Sequence, residues 1–201
     1  MGIVTAGIAI SLDGFAAGPN QTREKPFGDG IDGRLHTWMF DHADENAAEV
    51  AALTSAGAYV MGRNMFGPDR SAWDLDWRGW WGPNPPYHAP VFVLAHRPRD
   101  TVAMDGGTTF EFVTDGIDSA LARARAAAGD QDVAIAGGAS TINQYLAAGL
   151  IDELRLHVVP ITVGVGERLF PVSPQLTLEP VSVRQTPHVT HLVYRRPTVP
   201  G

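Results

Sequence analysis

Residues 132–159 read Asp-Val-Ala-Ile-Ala-Gly-Gly-Ala-Ser-Thr-Ile-Asn-Gln-Tyr-Leu-Ala-Ala-Gly-Leu-Ile-Asp-Glu-Leu-Arg-Leu-His-Val-Val. The apolar run Val133–Ala136 has the length and composition of a buried strand. Gly137-Gly138 then makes a turn that lets backbone approach a ligand closely. Ser140 or Thr141 suits the cap of a helix that Gly149 ends, and Glu153–Val159 reads as the next strand. A strand, a glycine turn, a helix and a second strand follow in order. The free N–H groups and positive dipole end of such a helix suit an anion, most often a phosphate. A plain βαβ connection is the alternative.

Working outward, Ile3–Ile10 reads as a first strand, apolar on both faces like a central one. A long Gly/Asn/Asp/Pro-rich loop runs from Ser11 to Asp32. A short helix is expected at Arg34–Phe40 and a longer one at Glu45–Ser55, then a strand at Ala58–Met61. Asp69–Ala89 is a second long loop, rich in tryptophan and proline. Strands at Val91–Ala95 and Thr108–Val113 precede a helix at Ile117–Ala128, with Thr114 or Asp115 as cap and Gly129 as stop. Leu176–Gln185 and His188–Arg195 close as a hairpin around Thr186-Pro187. Strands alternating with helices and ending antiparallel predict one α/β domain over residues 1–201, a mixed sheet flanked by helices.

Composition narrows the function. The 201 residues are 44% hydrophobic and carry a formal charge of −7, which argues against nonspecific binding to nucleic acid or anionic lipid. The absence of cysteine removes disulfides, zinc–thiolate sites and cysteine nucleophiles. No apolar run reaches membrane-spanning length and no signal peptide is evident, so a soluble cytoplasmic protein is expected. The literal G-x-G-x-x-G at Gly28, Gly30 and Gly33 follows no strand and is a decoy. Gly164 and Gly166 also miss the pattern, since Leu169 takes the third glycine's place. The histidines show no metal spacing, and His157 reads as structural. No serine-hydrolase or zinc-deaminase pattern is present.

Two strands end in basic residues: Met61-Gly62-Arg63-Asn64 and Leu94-Ala95-His96-Arg97. Ligands of open α/β sheets bind beyond the carboxyl ends of parallel strands, where arginine and histidine pair well with phosphate. With the glycine turn, three strand ends point to a phosphorylated cofactor. Asp13-Gly14, where the first strand meets its loop, suits either orientation of a substrate or an Asx-type turn. Trp73, Trp77, Trp80 and Trp81 suit stacking on a planar heterocycle, a dimer contact, or a roof over the core.

Taken together, Ser11–Phe15 with Ala17-Gly18-Pro19, Val60–Arg63, Val91–Arg97, Gly137–Ala139 and Gly164–Phe170 resemble the dihydrofolate reductase superfamily. The chain is most similar there to the reductase domain of riboflavin-biosynthesis proteins and to their free-standing bacterial relatives. That resemblance implies a three-layer fold with an eight-stranded, mostly parallel sheet and a C-terminal antiparallel hairpin. It implies NADPH as cofactor, with Gly62, Arg63 and Asn64 near the adenosine phosphates and His96 and Arg97 on the 2′-phosphate. Gly137, Gly138, Ala139, Ser140 and Thr141 would hold the pyrophosphate, with a cis peptide common between the two glycines. Ala9, Ala17 and Gly18 would wall the nicotinamide. Asp13 would sit at the substrate end as the catalytic candidate, Trp81 would contact substrate, and Gly164–Phe170 would brace the loop of residues 13–20. The expected reaction is hydride transfer to a C=N or C=O bond of a small heterocycle (pterin, pyrimidine or flavin precursor). The proton would come from Asp13, an acid within residues 41–49, or water. A homodimer is also implied. A non-catalytic heterocycle-binding protein and a flavin-using oxidoreductase remain as alternatives.

Overall fold

The computed structural model describes residues 2–68, 72–171 and 176–197. The first residues of the tryptophan loop, 69–71, therefore lie outside the described residues. The chain order is β1 (Val4–Ser11), β2 (Phe15–Ala17), α1 (Thr37–Phe40), a 3-10 turn at Asp44–Asn46, α2 (Ala47–Ala52), β3 (Ala58–Gly62), α3 (Arg63–Phe66), β4 (Pro90–Leu94), β5 (Val102–Ala103), β6 (Thr109–Val113), α4 (Ile117–Ala128), β7 (Val133–Gly137), α5 (Ala139–Ala147), β8 (Glu153–Val159), β9 (Glu167–Arg168), β10 (Glu179–Thr186) and β11 (Val189–Arg195).

The main sheet runs β10-β11-β8-β1-β7-β3-β4-β6-β5. From β8 to β6 every pairing is parallel, and β11, β10 and β5 join antiparallel. Nine strands stand where eight were expected, because the two-residue β5 pairs with β6 through Val102 and Ala103. So short a strand lacks the alternating run that makes one legible in sequence.

The two faces of the sheet are built differently. Strand alternation places Val4, Ala6, Val60 and Ile135 on one face, under Leu121 and Ala124 of α4 and Ile142 and Tyr145 of α5. On the opposite face the apolar residues split into two clusters. Tyr59, Met61, Val91, Val93 and Phe110 lie under Phe66, Tyr87 and the tryptophan loop. Ala9, Val159 and Val189 lie under Ile31, Leu35 and Trp38. Between the clusters the strands carry small side chains, with Thr5 paired to Ala134 and Gly7 and Ala9 following along β1. Small residues cannot reach a covering layer, so a cleft of about 1730 Å³ opens there. That exceeds the roughly 300–1,000 Å³ usual for one small ligand, leaving space for a two-part ligand and a partner molecule.

Candidate functional site

The cleft reaches the carboxyl edge of the parallel strands, where β3, β4 and β7 deliver their ends. The pairing of β3 with β7 skips Ala136, so Met61 lies opposite Gly137. This bulge bends the ladder where the ligand edge begins. The Gly137–Gly138 peptide is cis, as expected from the resemblance. Gly137 takes a φ of 113°, open to glycine alone in practice. Gly138 faces open space, and α5 begins directly after it.

The cap of α5 differs from expectation. Gly138, not Ser140 or Thr141, is the N-cap, and no side chain caps the helix. Thr141 and Ile142 both donate their N–H to the Gly138 carbonyl, at 3.0 and 3.1 Å. Thr141 is buried, and its hydroxyl oxygen lies under Gly62, where an added Cβ would stand only 2.4 Å away. The close approach of β3 to α5 therefore requires glycine at 62. The cap of α4 differs likewise: Gly116 at φ 97° replaces Thr114 or Asp115.

Of the site residues expected from sequence, Ala9, Ala17, Gly62, Arg63, Asn64, His96, Arg97, Gly137, Gly138, Ala139, Ser140, Thr141 and Trp81 all border the cleft. His96 and Arg97 are exposed at its rim. Arg63 lies 3.7 Å from the Trp73 ring centroid and donates to the Gly67 carbonyl at 3.1 Å. Trp81 stacks on Phe110 and meets Tyr87 edge-on, so it roofs the core and walls the cleft at once.

Two expected residues are placed elsewhere. Gly18 does not border the cleft; an added Cβ there would stand 2.2 Å from the Asp29 carbonyl oxygen, so its smallness serves loop packing. Asp13 also lies off the cleft wall. Its carboxylate accepts from the Ser11 hydroxyl at 2.6 Å and from the Gly164 and Val163 amides at 2.7 and 3.1 Å. The Ser11 bond and the two amides hold its pKa down at about 2, so it stays ionised and is unsuited to giving a proton near neutrality. It ties the loop after β1 to the loop after β8. The β2–β9 pair joins the same two loops, Phe15 opposite Arg168 and Ala17 opposite Glu167, which is the brace expected of Gly164–Phe170.

The acids at 41–49 are also resolved. Among Asp41, Asp44, Glu45 and Glu49, only Glu49 borders the cleft. Burial acts to raise its pKa, but the hydrogen bond and charge of Arg184, a backbone hydrogen bond and the nearby His191 together outweigh that, and the net shift is downward. Glu153 behaves the same way between Arg155 and Arg195.

Sequence reading passed over the residues at the far end of the cleft. His157, read as structural, projects from β8 into it, with Trp38 packed on its ring at a centroid distance of 4.5 Å. Its Nδ1 lies 2.7 Å from Nδ1 of His191 on β11. The available signal was the alternation Glu153, Arg155, His157, which puts polar residues on one strand face opposite Thr5, Gly7 and Ala9.

The family model of the RibD C-terminal domain matches residues 3–192. A protein from Shewanella sp. PV-4 named for riboflavin biosynthesis superposes with a TM-score of 0.68 at 24% identity, covering 98% of this chain and 99% of that one. A diaminohydroxyphosphoribosylaminopyrimidine deaminase/5-amino-6-(5-phosphoribosylamino)uracil reductase from Thermotoga maritima superposes with a TM-score of 0.59 at 15% identity, over 97% of this chain and 56% of that one. The chain thus spans little more than half of that bifunctional protein. The uncharacterized protein YyaP of Bacillus subtilis (strain 168) is 36% identical over 66 residues, 32% of this chain and 35% of that protein. Among the described residues, no helix is long and apolar enough to cross a membrane.

Proposed function

The chain belongs to the RibD C-terminal domain family, and from that premise we propose that it is a reductase of the riboflavin-pathway type that uses NADPH to reduce a C=N or C=O bond of a small planar heterocycle. One observation carries the reading: the ends of β3, β4 and β7 and the uncapped start of α5 meet at one mouth of a cleft whose floor is made of small residues. Open helical N–H groups beside Gly138 suit a diphosphate. His96 and Arg97 suit the 2′-phosphate that distinguishes NADPH from NADH. Ala9 and Ala17 leave the flat space a nicotinamide ring needs.

NADPH supplies a hydride when bound. The residues of the chain bind its phosphates, orient its ring and exclude water from the floor of the cleft. The product also requires a proton. Asp13, Glu49 and Glu153 are all held below their usual range, so the proton comes from water at the open end of the cleft. The uracil reductase activity named for the Thermotoga protein supports a pyrimidine-like substrate. We also propose a homodimer, supported by the edge strand β10, whose residues Glu179–Gln185 are all exposed, Val181 and Val183 included.

The test is calorimetric titration of the protein with NADPH and with NADH, repeated for Arg97→Ala. The expected result is saturable NADPH binding that the substitution weakens by about 1–3 kcal/mol, the scale of a charge-assisted hydrogen bond, with a smaller loss for NADH. No saturation by either nucleotide would overturn the cofactor assignment. Equal losses would remove Arg97 from the 2′-phosphate.

A further inference from the structure

We propose that His42, Glu45 and His188 form a surface site for a divalent transition metal of the zinc type, which clips the turn of the β10–β11 hairpin to the segment between α1 and α2. None of the three residues borders the cleft, so the site stands apart from the reductase reading.

The argument begins with two pieces of backbone that the fold holds firmly. Pro187 and His188 are the turn between Thr186 and Val189, which pair across the hairpin. A two-residue turn leaves its members little freedom, and Val189 beside it is buried in the same cluster as Trp38. On the other side Asn46 is wholly buried. Its amide nitrogen donates to the carbonyls of Trp38 and His42 at 2.9 and 2.8 Å, and its amide oxygen faces Nε2 of His191 on β11 at 2.9 Å. Arg184 on β10 donates to the Glu45 carbonyl at 3.2 Å and to the Glu49 carboxylate at 2.7 Å. Both sides of the site are thus fastened to β10 and β11 before any ion enters, which lowers the entropy cost of binding one.

The side chains then converge. His42 and Glu45 stand three positions apart on a helical turn, which sets them on one face, and His42 Nδ1 lies 3.9 Å from a Glu45 carboxylate oxygen. The His188 ring lies on the His42 ring, with centroids 3.7 Å apart and planes 18° from parallel. One ligand atom from each of the three residues falls within 4.8 Å of the other two. Zinc ligands at about 2.0–2.2 Å stand about 3.3–3.5 Å from one another in a tetrahedron, so the rings splay and close in by roughly 1 Å as the ion enters. The His42 side chain is 33% exposed and that of Glu45 47%, so this movement displaces water rather than core, and the fourth position is open to a water ligand. Among the described residues, the imidazoles of His42 and His188 make ring and ion-pair contacts only, which leaves their nitrogens available. His191 is the contrast, with its two nitrogens facing Asn46 and His157. Two imidazoles and one carboxylate suit zinc and its neighbours cobalt and nickel, whereas magnesium and calcium take oxygen ligands. The exposed Asp41 and Asp44 on the same segment add to the attraction for a cation. An ion gripped from both sides binds the folded chain and not the open one, so it stabilises the contact of the hairpin with the Trp38 segment that roofs one side of the cleft.

The test titrates the tag-free, chelator-treated chain with zinc chloride and, separately, with magnesium chloride. The expected result is one zinc per chain, no saturable magnesium binding, and a melting temperature that rises with zinc concentration. The chain has no cysteine, so no thiolate competes for the ion. Nitrogen NMR of histidine-labelled protein should show the His42 and His188 resonances moving as zinc is added, while those of the buried His157 and His191 stay in place. His42→Asn and His188→Asn should each weaken zinc about tenfold or more and remove the thermal shift, with a smaller loss for Glu45→Gln. Zinc affinity unchanged in His188→Asn, resonance shifts confined to other histidines, or no saturation with millimolar zinc would each overturn the proposal. The NMR measurement needs no variant, so a misfolded mutant does not block it. No nucleotide is present in these titrations, so zinc binding by a protein that fails to bind NADPH would sink the cofactor assignment and leave the metal site standing.

Discussion

Asp13 shows how a residue at a site's edge comes to serve shape rather than chemistry. Its carboxylate collects a hydroxyl and two amides from loops about 150 positions apart in sequence. Its pKa falls from 3.8 to about 2 on folding, so the unfolded chain binds the proton more tightly. The contribution is therefore complete above the unfolded value and is lost as pH falls through the folded one. Amide exchange at Val163 and Gly164 should accelerate between about pH 4 and pH 2 beyond the intrinsic rate. Asp13→Asn should raise that exchange at neutral pH and flatten its acid dependence. Unchanged protection in the variant would mean the loops are held by β2 and β9 alone.

At the scale of elements, the tryptophan loop is a roof attached by indole N–H groups. Trp73 donates to the Arg97 carbonyl at 3.1 Å and Trp77 to the Phe66 carbonyl at 2.9 Å. Trp77 also meets Trp80 edge-on at 4.7 Å between centroids. A loop this long holds its shape only if its large side chains are fastened to regular structure. Trp77→Phe keeps most of the apolar area and deletes one half-buried hydrogen bond, so it should cost about 1 kcal/mol by denaturant unfolding. A neutral result would mean the loop is held by ring packing alone. The helices teach a related point. Both α4 and α5 begin at glycines, where sequence favours a hydroxyl or carboxyl cap. At α5 the absence of a competing side chain leaves the helix start open to a ligand.

Across the whole molecule, the parallel strands were legible because each buried run is apolar and bounded by turn residues. β8 and α4 occupy the spans that periodicity assigns them, and the strand ends at Gly62, Leu94 and Gly137 mark the ligand edge. What sequence hid is non-local. Asn46, Trp38, His157 and His191 come from four separate elements and meet only after β11 pairs with β8. The short pairs β2–β9 and β5–β6 are set by loop closure rather than by pattern. The sheet also ends unevenly. At one side β5 is only two residues, while at the other β10 presents an edge of eight residues, seven of them exposed, with Val183 66% accessible. Edges of that kind invite pairing with another copy. Light scattering should give twice the chain mass for the wild type and a single chain mass for Val183→Lys. A wild-type monomer would sink the dimer.

Gly7 offers a stopcock. A Cβ there would meet Leu53 at 3.6 Å and His157 at 3.9 Å, ordinary contacts that demand no movement of the sheet. An alanine at this strand position should therefore leave the melting temperature close to unchanged. Its methyl group would occupy the floor of the cleft. Gly7→Ala is expected to be folded yet narrower at the cleft floor, with weaker NADPH binding in a titration and calorimetric unfolding intact.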